Sequence, residues 1–397
     1  MKIHLHLVDQ IAAALIEVFV EGKYASKIVE RELKYQKKWG ARDRRFFAEQ
    51  LYGCVRWWRR LWFLIGESPE GTLNKETLKK IWLAHWLMQG CEIPENFPIQ
   101  NLRLNRVETS DGLAISESIP DWMNKLGQNE MGERWPAIMK SLNQIASVDL
   151  RVNTLKIDRK KLIERLAREE IDVEPVENIS TSITLKIRKN IFITQAYKDG
   201  LFEVQDRGSQ QIASLLPVMP GDRVIDACAG AGGKTLHLAA LMKNKGKIIA
   251  LDIHDWKLKA LHERAKRNGV QIVETRVIEN SKTIKRLAES ADGVLLDVPC
   301  SGMGVLRRNP DTKWKLSLEE LEELKKTQRE ILSSYSQMVR PGGHLVYATC
   351  SFLKSENENQ VESFLEKNSN WTLIKSLRID PDQGDGDGFF AALLKRS

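Results

Sequence analysis

The chain lacks any uninterrupted apolar stretch of the roughly 18 residues that a membrane-spanning helix requires, so no such helix is expected. A cysteine framework is missing too. The five cysteines (Cys54, Cys91, Cys228, Cys300 and Cys350) are far apart and odd in number, which argues against a disulfide-stapled fold and fits a reducing compartment. No CxxC pair or His/Cys cluster occurs, so no metal is expected. There is no internal repeat and no low-complexity tract, which sets aside solenoids and disordered scaffolds. The opening MKIHLHLVDQIAAALIEVFV is apolar but holds Asp9, Gln10 and Glu17. It reads as an amphipathic helix rather than a secretory signal. The cytoplasm is the expected location.

What is present is positive charge, unevenly spread. The net charge is +8 over 397 residues, a length that suits two or three domains. Between Arg31 and Arg60, ten Lys/Arg residues face only Glu32, Asp43 and Glu49, and Tyr35, Trp39, Tyr52, Trp57 and Trp58 lie among them. Cations for phosphates and rings for bases suit an RNA strand. Arg44 and Arg45 are candidate contacts. The competing reading, a solvated helix face with its aromatics in the core, has equal weight at this point.

Residues 1–145 show helical spacing and eight of the eleven tryptophans, and are expected to be all-α. This part resembles the NusB-like RNA-binding helical domain, chiefly through ARDRRFFAEQLYGCVRW (Ala41–Trp57), where a charged turn leads into an amphipathic helix. From about Val148 the pattern changes. DLRVNTLK and ITLKIRKNIFIT alternate like strands around a charged helix at Arg159–Glu170, giving a small α/β segment at 146–218. From 219 to 397, apolar strands (RVIDA, KIIALDI, VETRVI, GVLLDV, GHLVYATC, FFAALLK) alternate with amphipathic helices. That predicts a Rossmann-like, mostly parallel sheet with an antiparallel C-terminal strand, and ligands at the carboxyl ends of its strands.

RVIDACAGAGGKT (Arg223–Thr235) reads as strand, glycine turn and helix start. Gly230, Gly232 and Gly233 are expected to let the backbone approach a ligand at the helix N-terminus. A P-loop would place glycine where Cys228 stands, and a dinucleotide fingerprint would place one at Thr235. Neither class fits. Asp252 closes the next strand, twenty positions after Gly232, where a carboxylate takes the ribose hydroxyls of an adenosine ligand. Loop and carboxylate together suit S-adenosylmethionine, against the plainer reading of a glycine turn that only packs helix on strand.

The remaining signal is a pair of cysteines. GVLLDVPCSGMGVLRRNPDTKW (Gly293–Trp314) puts Asp297 and Cys300 at one strand end, and GGHLVYATCS (Gly342–Ser351) puts Cys350 at another. A free cysteine is usually a small buried hydrophobe, and Cys54, Cys91 and Cys228 are read that way. Cys300 and Cys350 each close a strand and enter a polar turn, so both are expected on the cofactor's rim. Carbon 5 of cytosine is too weakly nucleophilic to take a methyl group directly. A thiolate added at carbon 6 makes it an enamine carbon, which can. Amino methylation of adenine needs no thiol and uses a Pro-Pro-aromatic turn, which Asp297-Val298-Pro299-Cys300 is not.

These residues resemble the RsmB/Sun family of RNA cytosine-5 methyltransferases. The likeness runs from RVNTLK (Arg151–Lys156) through GLFEVQDRGSQ (Gly200–Gln210), the glycine loop, LLDVPCSGMG, NPDTKW and YATCS to the closing DGFFAALLK. The NusB-like start points to those members that act on small-subunit rRNA. The resemblance implies that Cys350 is the nucleophile, that Cys300 assists release of the product, and that Asp297 meets the polar edge of the cytosine. Spacing alone does not choose between the thiols. Cofactor contacts are implied at Cys228, Ala229, Gly230, Ala231, Gly232, Gly233, Lys234, Asp252, Asn280 and Asp297. RNA contacts are expected at Arg307, Arg308 and Lys313 besides Arg44 and Arg45. Two positions depart from the family: Ala231 stands where proline is usual, and Asn280 where an aspartate contacts the adenine. The expectation is a monomeric enzyme acting on 16S rRNA. Its rivals are a tRNA cytosine-5 methyltransferase and a catalytically silent RNA-binding assembly factor of the same fold.

Overall fold

The computed structural model describes residues 4–70, 73–384 and 386–397. Its contacts divide it into two units, one of Met1–Gln144 with Leu306–Ser317, the other of Ile145–Val305 with Leu318–Ser397.

Among its described residues the first unit contains helices joined by loops and no strand. Its longer helices are Leu5–Phe19, Ala25–Tyr35, Ala41–Arg56, Trp58–Ile65 and Lys75–Met88, followed by the shorter Leu113–Ser116, Asp121–Met131 and Trp135–Leu142. Leu5–Phe19 buries Leu7, Val8, Ile11, Ala12, Leu15 and Val18, the stripe of an amphipathic helix. These meet Phe47, Leu51, Trp62 and Trp82 in one core. Asn74 caps Lys75–Met88 by accepting from the Thr77 amide, and Gly66 ends Trp58–Ile65 in the left-handed region.

The segment Leu306–Ser317 belongs to this core, although the sequence pattern places it in the catalytic domain. Asp311 accepts from the Ala25 amide at 2.9 Å, at the start of Ala25–Tyr35, and Trp314 Nε1 donates to Val55 O at 2.7 Å. The Arg56 guanidinium donates to the carbonyls of Leu142, Leu306 and Arg307.

The second unit contains two sheets. The small one is antiparallel, in order β2-β3-β1-β4, from β1 (Asp149–Val152), β2 (Val173–Pro175), β3 (Ser182–Leu185) and β4 (Phe202–Val204). The stretch RKNIFIT, expected in a strand, instead forms the 3₁₀ turn Ile191–Ile193 leading to the helix Gln195–Lys198. The large sheet comprises β5 (Arg223–Asp226), β6 (Lys247–Asp252), β7 (Val273–Val277), β8 (Ala291–Asp297), β9 (Val339–Thr349), β10 (Trp371–Ile379) and β11 (Phe389–Arg396), in order β10-β11-β9-β8-β5-β6-β7. β5 to β9 are parallel, while β11 is antiparallel to β9 and β10 to β11. Alternate residues feed two cores: Ile225, Ile249, Leu251, Val294 and Leu296 on one face, Val224, Ile248, Ala250, Leu295 and Val346 on the other. Burial on both faces explains why these strands read as continuous apolar runs. Strand order reverses between β5 and β8, which opens a crevice at their carboxyl ends.

Candidate active site

The glycine loop joins β5 to the helix Gly233–Leu241 and turns through positive φ at Gly230 (54°) and Gly232 (85°). The two glycines do different work. A Cβ on Gly230 would meet nothing within 4 Å, so that backbone faces open space. A Cβ on Gly232 would lie 2.4 Å from Leu261 Cγ. Gly232 is thus required by its own backbone angle and by packing against Leu261. Arg151 on β1 donates to Gly233 O at 2.8 Å. Arg264 donates to Ala231 O at 2.6 Å and also grips Glu203 on β4. The two motifs before the loop, RVNTLK and GLFEVQDRGSQ, therefore brace it. Burial opposes the charge of Glu203, but Arg264, Asn268 and Arg267 outweigh it and hold its carboxyl below the usual range.

Asp252 sits at the end of β6 and accepts from the Gly230 amide at 2.9 Å and the His254 amide at 2.8 Å, one bond per oxygen. Each oxygen keeps lone-pair capacity for a hydroxyl. Beside it Ile253 and Trp256 are each 63% exposed and offer apolar surface. The open side of Gly230, the Asp252 carboxylate and this surface fit an adenosine-bearing cofactor. Asn280 lies just past β7, whose neighbour Ile278 donates to Asp252 O. Its side-chain oxygen already accepts from Lys282 N at 2.9 Å. Its oxygen keeps a second lone pair and its amide N–H pair can donate to a ligand, where a carboxylate would only accept. Burial, with Asp226, Asp297 and Asp252 nearby, pushes the Cys228 thiol well above its ordinary range, so it remains neutral in the loop.

Two features of the site were not anticipated. Asp226, which closes β5, is buried and accepts from Thr235 Oγ1 at 2.7 Å. Burial, with Asp297 adding to it, raises its pKa to about 7. Lys234 donates to Asp297 at 2.6 Å. Burial disfavours the ammonium, yet Asp297 holds its pKa above the ordinary lysine value.

The two cysteines meet. β8 and β9 are adjacent and parallel with Asp297 opposite Ala348, so their carboxyl ends deliver Cys300 and Cys350 to one place. The sulfurs are 3.3 Å apart, both thiols are free, and the Cys350 amide points at Cys300 Sγ at 3.3 Å. The Cys350 contact and burial push the Cys300 thiol well above its usual range.

Residues 213–395 match the family described as 16S rRNA methyltransferase RsmB/F, and residues 119–191 match a RsmF/B-like ferredoxin-like domain. The chain is 30% identical over 411 residues to the probable ribosomal RNA small subunit methyltransferase B of Synechocystis sp., spanning 89% of this chain and 92% of that protein. This chain belongs to the RsmB/F family. It is 31% identical to ribosomal RNA small subunit methyltransferase B of Proteus mirabilis, spanning 75% of this chain and 69% of that one. Among solved structures, PH0851 superposes with a TM-score of 0.83 at 26% identity over the whole of both chains. A methyltransferase homolog from Pyrococcus horikoshii gives 0.64 at 26%, over 72% of this chain and 98% of that one. The protein is accordingly an S-adenosylmethionine-dependent RNA methyltransferase. The family's ferredoxin-like span begins among the last helices of the first unit and crosses its boundary at Gln144.

For an RNA-acting family the placement of the basic residues matters. Lys313 is fully buried, its ammonium surrounded by Asn143 Oδ1 at 2.6 Å and the carbonyls of Arg56, Ser118 and Glu117 at 3.2–3.3 Å. Arg307 is 5% exposed and donates to Ser141 O. The expectation that these two face RNA is corrected: they hold the inserted segment in the helical core. Arg308 is partly buried in the same segment. Arg44 donates to the carbonyls of Trp39, Leu33 and Gln36, closing the end of Ala25–Tyr35. Arg45 is exposed and paired with Glu49. Arg31, Arg56, Arg59 and Arg60 also serve carboxylates or carbonyls, and Trp39 and Trp58 are core. The exposed members of the basic cluster are Lys34, Lys37, Lys38, Arg42 and Arg45, beside an exposed Tyr35. Among the described residues no helix is long and apolar enough to cross a membrane.

Proposed function

We propose that this protein methylates carbon 5 of a cytosine in 16S rRNA through a transient bond between Cys350 and carbon 6. The observation behind this reading is the pair of free thiols, 3.3 Å apart, beside Asp297 and the glycine loop. Residues Cys228–Lys234, Asp252 and Asn280 hold the cofactor. S-adenosylmethionine, when bound, supplies an electrophilic methyl group. The chain's task is to make carbon 5 nucleophilic and later to restore the ring. Cys350 gives up its thiol proton to water, adds at carbon 6 as the thiolate and pushes the ring electrons to carbon 5. Asp297, its charge balanced by Lys234, takes the polar edge of the base. After transfer, carbon 5 loses its proton to water, the double bond re-forms, and the carbon–sulfur electrons return to Cys350. Cys300, held as a neutral thiol, donates a hydrogen bond to the departing sulfur.

Incubating the full chain with labelled donor and RNA, followed by denaturing electrophoresis, tests this. Cys350→Ala is expected to abolish transfer and form no adduct while still binding donor. Cys300→Ala is expected to attack, methylate and stall as a methylated protein–RNA adduct. A stable adduct from Cys350→Ala and none from Cys300→Ala would reverse the roles. Normal methylation by both would end the covalent reading and with it the assignment of carbon 5.

A further inference from the structure

The chain after Cys350 turns through the 3₁₀ segment Lys354–Glu356 into the helix Glu358–Lys367. Glu356 and Asn357 are consecutive and both fully buried. Glu356 Oε1 accepts from the Ser301 amide at 2.8 Å and from Gln328 Nε2 at 2.9 Å, and Oε2 accepts from Ser301 Oγ at 2.5 Å. Gln328 Nε2 also donates to Pro299 O at 3.0 Å. The residues on either side of Cys300 are thereby held from one carboxylate. Asn357 does the same for the other thiol: its Oδ1 accepts from Thr349 Oγ1 at 2.5 Å, and its Nδ2 donates to Ser351 O at 3.0 Å. Tyr347 ties the pair to β9 by donating to Glu356 O at 2.7 Å.

We propose that Glu356 and Asn357 are positioning residues that set the separation of the two thiols, Glu356 gripping the Cys300 turn and Asn357 the Cys350 turn. Strand pairing fixes the ends of β8 and β9; the turns beyond them, which carry the sulfurs, meet through Gly304 N donating to Cys350 O at 3.0 Å and Ser301 Oγ lying 3.4 Å from Ser351 Oγ. Two adjacent, buried side chains on a third element give those turns a common reference. All three donors to Glu356 are neutral. A carboxylate buried without a cation is expensive to maintain, more than filling the space would require. Its charge acts as well. The titratable groups facing Cys300 are Cys350, Glu356 and Tyr347, and Glu356 adds to the forces keeping Cys300 protonated.

The catalytic meaning of this clamp rests on the function proposed above, but its test needs no RNA. Diamide oxidation of the full-length protein, followed by peptide mapping, reads how fast Cys300 and Cys350 close to a disulfide. Wild type is expected to close quickly. Glu356→Ala and Asn357→Ala are expected to slow by between roughly tenfold and a hundredfold, the effect of displacing reacting atoms by about an ångström. Glu356→Gln keeps one oxygen to accept from the Ser301 amide and Gln328 and places an NH2 where Ser301 Oγ can accept in its turn, so it is expected to recover most of the rate lost in Glu356→Ala while moving Cys300 alkylation by iodoacetamide to lower pH. A structural role alone would not produce that split. Should Glu356→Ala not fold, Ser301→Ala removes the Oγ bond and is expected to slow closure in the same direction. Wild-type closure rates in folded Glu356→Ala and Asn357→Ala would overturn the proposal. Slowed closure in a protein that methylates another atom would sink the carbon 5 reading and leave the clamp standing.

Discussion

Asp226 is a carboxyl whose ionisation the fold opposes. Its pKa of about 7 lies well above the ordinary 3.8, because burial removes the water that would solvate the charge. The protonated form therefore belongs to the folded state. Its contribution is fully present below pH 4 and is lost as pH rises through about 7, at most about 4 kcal/mol from a shift of three units. Stability is expected to fall between about pH 4 and pH 7, and Asp226→Asn, which keeps an acceptor for Thr235, should flatten that component. Melting curves across this range would check it, and parallel pH profiles in the two proteins would count against it. A second pair of substitutions separates ligand contact from loop geometry. Asp252→Ala is expected to weaken donor binding by about 1–3 kcal/mol. Gly232→Val should abolish binding and lower the melting temperature, because it meets Leu261 and cannot hold φ 85°. Calorimetry showing unchanged affinity in both would remove the cofactor site from this loop. Lys313 and Arg307 illustrate a limit of residue type. A basic side chain in a family that handles RNA suggests a phosphate contact, but for Lys313 oxygens far apart in sequence, from Arg56 to Asn143, are the partners.

At the scale of the element, the basic cluster divides by helix face and helix end. Arg44 closes Ala25–Tyr35 and Arg56 lies inside the helical core, so neutralising either disturbs the fold before it disturbs binding. Lys37, Lys38 and Arg42 lie at the exposed junction of two helices. Neutralising these three is expected to flatten the dependence of RNA affinity on salt by somewhat less than one unit of log–log slope per lost phosphate contact. An unchanged slope would make this junction a solvated surface only. The strands show which signals survive folding. The apolar runs of β5, β6, β8, β9 and β11 are legible because most of their residues are buried; β7, an edge strand without a fully buried residue, shows through its alternation instead. β10 was missed because residues 372–376 are exposed on an edge strand and alternate with nothing. β2 and β4 are three residues each, too short for a period to appear.

For the whole molecule, chain order and spatial order differ. The first unit needs Leu306–Ser317, which is separated from it in sequence by the larger part of the second. A fragment ending at Gln144 lacks two of the carbonyls that satisfy Arg56, the Asp311 bond to Ala25, and Trp314. Leaving a buried cation short of partners costs about 3–5 kcal/mol. The fragment is expected to show weak, uncooperative helical melting, with cooperativity restored by a peptide spanning 306–317. A fully cooperative fragment that ignores the peptide would show the insertion to be ornamental.

The sequence alone determined the Rossmann-like sheet, the glycine loop with Asp252, and the pairing of PCSG with TCS. Each of these is written in local pattern: apolar runs, a turn that needs glycine, cysteines at strand ends. Tertiary structure decided what depends on partners remote in sequence. It put β8 beside β9 and so brought the two sulfurs to 3.3 Å. It set Glu356 and Asn357 behind them, buried Lys313, paired Lys234 with Asp297, and raised Asp226. Dielectric environment and long-range hydrogen bonds are properties of the packed chain, and no window of sequence contains them.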